Sequence, residues 1–341
     1  MTDTKHLEFS RRKFLLSSAF ALASLKLGTL GWAAQTKEKR LGYSDSHAHL
    51  DSYPVEELKK IIARMKEQNV SLVLNVSINL LTSAEAIKIA QANDGIYAAV
   101  GIHPGEAIPL TTEVKKRLEE LSGQNKVVAF GEVGLNYGNS TGSNEEQRQL
   151  LLFQKSLANN LKIPLNIHCN YEAYKDCISM LRGSTGNIHG FTGTMGDLND
   201  WLEIGYYISL GEVREPGSTG DMGVMPVGPG LTEEVVRAIP AERLLIETDS
   251  MARVNSRWNE LGKSSGGQGG PSGPGGPGGA PGGGRDGAPG GMPGRASAQE
   301  QSNGPVDVIK VAESIGKMRG VSAEEIGDLA TNNLRRLLKI K

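Results

Sequence analysis

The chain is poor in cysteine, with two in 341 residues, and poor in aromatic side chains, which make up 5% of it. Two cysteines cannot build a disulfide-dense scaffold or a cysteine-based zinc cluster. Net charge is also missing: 37 basic against 38 acidic side chains leave −1, without the electrostatic footprint of an obligate nucleic-acid binder. No apolar run is long and clean enough for a multi-span membrane protein. Glycine, by contrast, is plentiful at 44 residues, and where it sits decides how much of the chain folds.

Residues 1–34 read as an address, separate from the fold. Ser10-Arg11-Arg12-Lys13-Phe14-Leu15 leads into an apolar stretch that runs to Leu30, broken by serines, a lysine, Gly28 and Thr29. Gly31-Trp32-Ala33-Ala34 then supplies the small residues that a signal peptidase needs. Charged head, apolar middle and small-residue exit is the order of a secretory signal. The paired arginines resemble a twin-arginine signal, an address read by dedicated export machinery. The stretch is too short and too interrupted for a stable span, so the mature chain is expected to be exported across the inner membrane to the periplasm. Cleavage is expected after Ala33 or Ala34, with an uncleaved signal anchor as the alternative. Five basic and two acidic side chains lie in this segment, so the remainder carries 32 basic against 36 acidic, or −4.

Residues 264–294 hold 16 of the glycines and six prolines, and apart from those prolines Met292 is their sole apolar side chain larger than alanine. Such a segment cannot bury enough apolar surface to offset its ordering entropy. Its Gly-X-X period slips out of phase, whereas a collagen helix needs strict register. The expectation is a disordered insert. What remains at 41–263 and 295–341 is 270 residues, matching a single (β/α)8 barrel of about 250.

That remainder alternates β-rich runs with amphipathic stretches. Strands are predicted at 43–50, 70–76, 96–102, 127–133, 164–168, 187–191, 206–210 and 244–248. Helical patterns lie at 55–68, 83–92, 112–121, 145–160, 171–181, 198–204, 232–238, 306–318 and 323–339. Pro54 and Asn144 read as helix starts; Asn69, Gly183 and Gly205 read as stops. Strict strand–helix alternation implies a parallel sheet with right-handed crossovers. No glycine-rich phosphate loop follows the first strand, which disfavours an open doubly wound sheet. The predicted class is α/β, a TIM barrel, over residues 41–341.

Barrel chemistry sits at the C-terminal ends of strands. His47 and His49 flank Ala48 at the end of the first strand and share a face. Glu132 ends the fourth, His168 the fifth, His189 the sixth and Asp249 the eighth. A lone histidine there is usually a satisfied core residue, but four histidines and two carboxylates from five strand ends need something to pair them. One or two divalent cations would do so. Imidazole suits zinc and carboxylate suits magnesium or manganese, so the mixture fixes no single metal. Two ions could share the six ligands with Glu132 between them, lowering the pKa of a water that Asp249 could deprotonate.

Asp45-Ser46-His47-Ala48-His49-Leu50-Asp51, Gly101-Ile102-His103-Pro104, Gly131 to Tyr137, Pro164 to His168, His189 to Gly193 and Leu245 to Ser250 together resemble the TatD family of metal-dependent deoxyribonucleases. The resemblance runs from about Asp45 to Leu338, interrupted by the insert. It implies one metal on His47, His49 and Asp249, a second on His168 and His189, and Glu132 bridging. It also implies a substrate-side or outer role for His103, Asn170 and Glu247. Asn170 stands where the family usually has an arginine, Gly105 where it has a histidine, and Asn136 where it has an aspartate. The ligand set is therefore complete while the substrate side is altered. Losing a bidentate arginine weakens phosphate recognition.

The expected function is a metal-dependent hydrolase cleaving phosphoester bonds, with DNA as a candidate substrate. Two alternatives stay open: a hydrolase of a small-molecule ester, lactone or amide, and a non-catalytic metal-holding envelope protein. Cys169 and Cys177 are expected as free thiols.

Overall fold

The computed structural model describes residues 40–211, 231–252, 257 and 303–341; the expected export signal at 1–34 and glycine-rich insert at 264–294 lie outside them. Eight apolar, β-branched runs pair in chain order, each parallel to the next. They are β1 (Tyr43–Ala48), β2 (Val70–Val76), β3 (Ile96–Val100), β4 (Val127–Leu135), β5 (Leu165–Cys169), β6 (Gly186–Ile188), β7 (Tyr207–Leu210) and β8 (Leu244–Ile246). Past the end of β8 the chain returns to β1: Asp249 N donates to His47 O at 2.9 Å and His49 N to Ser250 O at 2.8 Å. The sheet closes, and the (β/α)8 barrel read from the sequence is the observed fold.

The intervening helices are α1 (Val55–Glu67), α2 (Leu80–Ala92), α3 (Thr112–Ser122), α4 (Asn144–Leu161), α5 (Tyr174–Leu181), α6 (Met195–Glu203) and α7 (Glu233–Ala238), followed by α8 (Val308–Arg319) and α9 (Ala323–Leu338). Most open on a hydroxyl or amide cap, which satisfies first-turn N–H groups that have no intrahelical partner. Asn144 opens α4 as expected, and Ser143 before it is the cap, accepting from Glu146 N at 3.2 Å while Glu146 reaches back to Ser143 N. Asn69, Gly183 and Gly205 take positive φ values of 57°, 79° and 85° just past their helices, as stop residues do. The expected helix at 171–181 is divided. Asn170 caps a 3-10 turn at Tyr171–Ala173, and α5 starts only at Tyr174.

Apolar side chains form two main layers. Val73, Phe130, Ile167 and Ile208 lie in the layer between strands and helices, with Leu151 and Trp201. Leu72, Leu74, Ala99, Ala129 and Leu245 form a second cluster with Leu334, Leu337 and Leu338 of α9. Helix α9 runs across the N-terminal mouth. Thr331 Oγ1 donates to Gly42 O before β1 (3.0 Å), Asn333 Nδ2 to Leu244 O at the start of β8 (2.9 Å), and Lys339 Nζ to Lys162 O before β5 (2.7 Å). The plug leaves the C-terminal mouth for chemistry. Among the described residues, no helix is long and apolar enough to cross a membrane.

Candidate metal centre

Strand ends deliver the predicted ligands to one place, and fixed hydrogen bonds orient their rings. His47 Nδ1 lies 2.7 Å from Asn166 Oδ1, and His49 Nδ1 lies 2.7 Å from the carbonyl of Val76. Both acceptors can only receive, so each ring carries a proton on Nδ1 and turns its Nε2 into the barrel mouth. Those two Nε2 atoms face each other at 3.1 Å. Asp249 Oδ1 joins them, 3.5 Å from His47 Nε2 and 3.2 Å from His49 Nε2. Two lone pairs and a carboxylate at this spacing repel unless a cation or a proton lies among them, so the donor set fits a metal ion.

Glu132 divides its carboxylate between two groups. Oε2 stands 3.7 Å from His47 Nε2 and 3.8 Å from His49 Nε2. Oε1 stands 2.8 Å from His168 Nδ1 and 3.0 Å from His189 Nε2. The six residues expected as ligands therefore converge as a group of three, His47, His49 and Asp249, and a group of two, His168 and His189, with the carboxylate of Glu132 facing both. Asp249 takes a left-handed backbone, φ 49°, a conformation that Asp tolerates better than most residues. Asp249 and His168 are half-buried, whereas His47, His49, Glu132 and His189 are buried.

The metal-free charge pattern follows from this crowding. Burial, reinforced by the neighbouring His189, pushes His47 down to about 4. Burial also opposes a charge on His49, but the hydrogen bond and field of Asp249 override it and lift that ring to about 9. His189 is likewise raised despite burial, by Glu132 and Glu247. Burial would raise both Glu132 and Asp249, yet the surrounding imidazoles hold both carboxylates below their usual range.

The outer residues divide into two kinds. Glu247 is built into the centre: Oε1 lies 3.2 Å from His189 Nδ1 and accepts from Gly190 N at 2.6 Å, while Ser209 Oγ donates to Oε2. His103 differs in tautomer from His47 and His49. Its Nδ1 accepts from Gly105 N at 3.0 Å, so its proton sits on Nε2, 3.5 Å from Glu132 Oε1. Asn170 instead braces a loop, accepting from Tyr137 N (3.1 Å) and donating to Tyr137 O (2.8 Å). Cys169 and Cys177 are free thiols.

Sequence reasoning missed the residues that hold the ligands. Asn166 anchors His47; Asn75 accepts from Leu50 N at 2.8 Å, next to His49; Asp45 accepts from His47 N, Thr248 N and Thr248 Oγ1 at 3.0, 3.1 and 2.5 Å. The available signal was a polar side chain in an otherwise apolar strand, as in Val70–Val76 and Leu165–Cys169. Two glycines of β4 make the close approach possible. A Cβ on Gly134 (φ 149°) would meet His168 O at 1.8 Å, and one on Gly131 would meet Asn166 Cβ at 2.8 Å. Any side chain at either position would displace a ligand or its support.

The family model for TatD related DNase matches residues 44–339. The chain is similar to the uncharacterized metal-dependent hydrolase YabD of Bacillus subtilis (strain 168), with 28% identity over 308 residues, covering 87% of this chain and 98% of that one. It is also similar to the 3'-5' ssDNA/RNA exonuclease TatD of Pantoea ananatis (strain LMG 20103), with 32% identity over 198 residues, 56% of this chain and 72% of that one. Among solved structures, YJJV, a TatD homolog from Escherichia coli k12, shares the fold with a TM-score of 0.64 at 21% identity, covering 88% of this chain and 98% of that chain.

Proposed function

The chain belongs to the TatD-related DNase family of metal-dependent hydrolases, and from that premise we propose that it cuts phosphodiester bonds in single-stranded nucleic acid after export under its N-terminal signal. The observation that carries the reading is the division of Glu132 between two ligand groups, His47–His49–Asp249 and His168–His189. That pattern suits a pair of divalent ions. Bound there, such ions supply an acidified water and a clamp on the charge that develops at a phosphoryl group.

The protein's own side chains do the rest. Asp249 keeps its carboxylate ionised and accepts the proton of the attacking water. Asn166, Val76 O and Glu247 hold the Nδ1 protons of His47, His49 and His189, so each Nε2 stays aimed without reorganisation. His103 offers its Nε2–H beside Glu132, where it can donate to a substrate oxygen.

A second reading, hydrolysis of a small-molecule ester, lactone or amide, is favoured by one observation. Asn170, at the position of the family's arginine, gives its side chain to Tyr137 and Ala173 and so provides no phosphate clamp. Metal content of the wild type and of His47→Ala, with turnover on single-stranded DNA, single-stranded RNA and a neutral ester, separates the readings. The nuclease reading expects cleavage of a nucleic acid that weakens as salt rises, because phosphate contacts release counterions. Salt-insensitive turnover of the ester alone would replace it with the second reading, and bound metal with no turnover would leave a metal-holding protein. Export is supported by Arg11-Arg12 and the apolar stretch that follows. A reporter fused to residues 1–34 should reach the periplasm and stay behind when both arginines become lysine.

A further inference from the structure

The geometry points to Tyr171 as a stacking platform for a nucleobase of the strand whose phosphate lies at the metal centre. The inference rests on the nucleic-acid reading above. Among the described residues, eight large apolar side chains are exposed; Tyr171 is the one aromatic, and at 87% it is the most exposed, ahead of Val55 at 51%. Other large rings, Tyr53, Phe130, Trp201 and Tyr206, are fully buried. An aromatic ring turned to water gains when another flat π-face covers it, and every nucleobase has one.

Position supports the assignment. Tyr171 follows His168 by three residues at the C-terminal end of β5, so the two backbones are at most about 11 Å apart. A nucleotide with its phosphate at the metal centre can lay its base on the ring. The turn beneath the ring is already ordered. Asn170 N donates to Leu135 O (3.2 Å), and Ala173 N donates to both Asn170 O and Oδ1 (3.2 Å each). Asn170 also grips both the N–H and the carbonyl of Tyr137. A ring on such a turn needs little ordering on binding.

The arginine nearest this turn is already engaged. Arg148, whose guanidinium lies 5.1 Å from the Tyr137 ring, gives Nη2 to Asp176 at 2.7 Å, and Tyr137 OH donates to the same oxygen at 2.8 Å. The face between β4 and β5 therefore presents a ring in place of a phosphate clamp, and its contact is with the base. Recognition of this kind tolerates any base sequence.

The test compares a single-stranded oligonucleotide with an abasic strand of the same length, which keeps the sugars and phosphates. Fluorescence anisotropy reads binding of both strands, made with phosphorothioate linkages that resist cleavage, to the metal-loaded full chain, and steady-state kinetics reads cleavage of the ordinary strands. The wild type should prefer the base-bearing strand by about tenfold, in Kd and in KM but not in kcat. Tyr171→Ala should bring that ratio close to one, and Tyr171→Phe should preserve it. A ratio that survives Tyr171→Ala, or that is absent from the wild type, overturns the platform. A Tyr171-dependent binding preference without any cleavage would leave the platform standing and remove the nuclease reading. Cleavage of both strands without preference would do the reverse.

Discussion

At its N-terminal mouth the barrel is stoppered by Leu334, Leu337 and Leu338 of α9, while at its C-terminal mouth five imidazoles and three carboxylates crowd together. Closest approaches between these polar groups run from 2.8 Å for His168–Glu132 to 3.8 Å for His49–Glu132. The apolar end stabilises the fold, each fully buried leucine contributing about 1.5–3 kcal/mol. The polar end works against it, because every charge taken out of water must be compensated by a closely placed partner. Stability and chemistry are thereby lodged at opposite ends of one sheet, and each can be changed without the other.

The largest effect should come from the shared carboxylate. Glu132→Gln keeps the shape but removes the charge that faces both ligand groups. We expect turnover to fall by about 10³-fold or more, as loss of a central electrostatic element does. Metal analysis on the same samples should show reduced occupancy. Undiminished turnover would remove Glu132 from the centre.

The stopper provides the converse. Leu334→Ala should cost about 2–5 kcal/mol of stability, a large-to-small change in a packed layer. A lowered melting temperature with unchanged metal content and kcat would uphold the separation; a parallel loss of metal would break it. Next in size, Glu247→Gln should weaken metal binding by about 10–100-fold, since it alters the partner of His189 Nδ1. Calorimetric titration reads this directly.

Acidity sharpens the contrast further. In the metal-free protein His49 is raised to about 9, so at neutral pH it holds a proton that an incoming cation must displace. His47, lowered to about 4, holds none. Metal affinity should accordingly climb as pH rises toward 9, by up to about tenfold per unit, and then level off. A flat profile from pH 6 to about 9 would contradict the proposed displacement of that proton. The smallest change belongs to the stopper again. Ser322→Ala removes the cap that receives Glu325 N at 3.2 Å at the start of α9, and should cost about 1 kcal/mol with no effect on metal binding.

The two ends also differ in how far they could be read from the residues. Strand β2 matched its expected bounds, and the others shifted by a few residues, because alternation of apolar runs and amphipathic stretches follows from burial alone. The convergence of these side chains was legible because imidazoles and carboxylates gathered at successive strand ends are costly to bury together without a cation. Their supports were not. Asn166 and Ser209 look like ordinary strand residues until the closure of the barrel sets them beneath His47 and Glu247. The partner of His49 is the carbonyl of Val76, which no side-chain pattern announces. Helix α9 was visible as an amphipathic helix, but its place under the mouth depends on long-range bonds from Thr331 and Asn333.

The stopper has a consequence for traffic. A tube closed at one end cannot be threaded, so a polymer cannot pass through this barrel as it would through a ring. Substrate arrives and product departs by the same opening, past the same rim. On the nucleic-acid reading proposed above, each cut must be followed by withdrawal or by sliding along that rim before the next bond is presented.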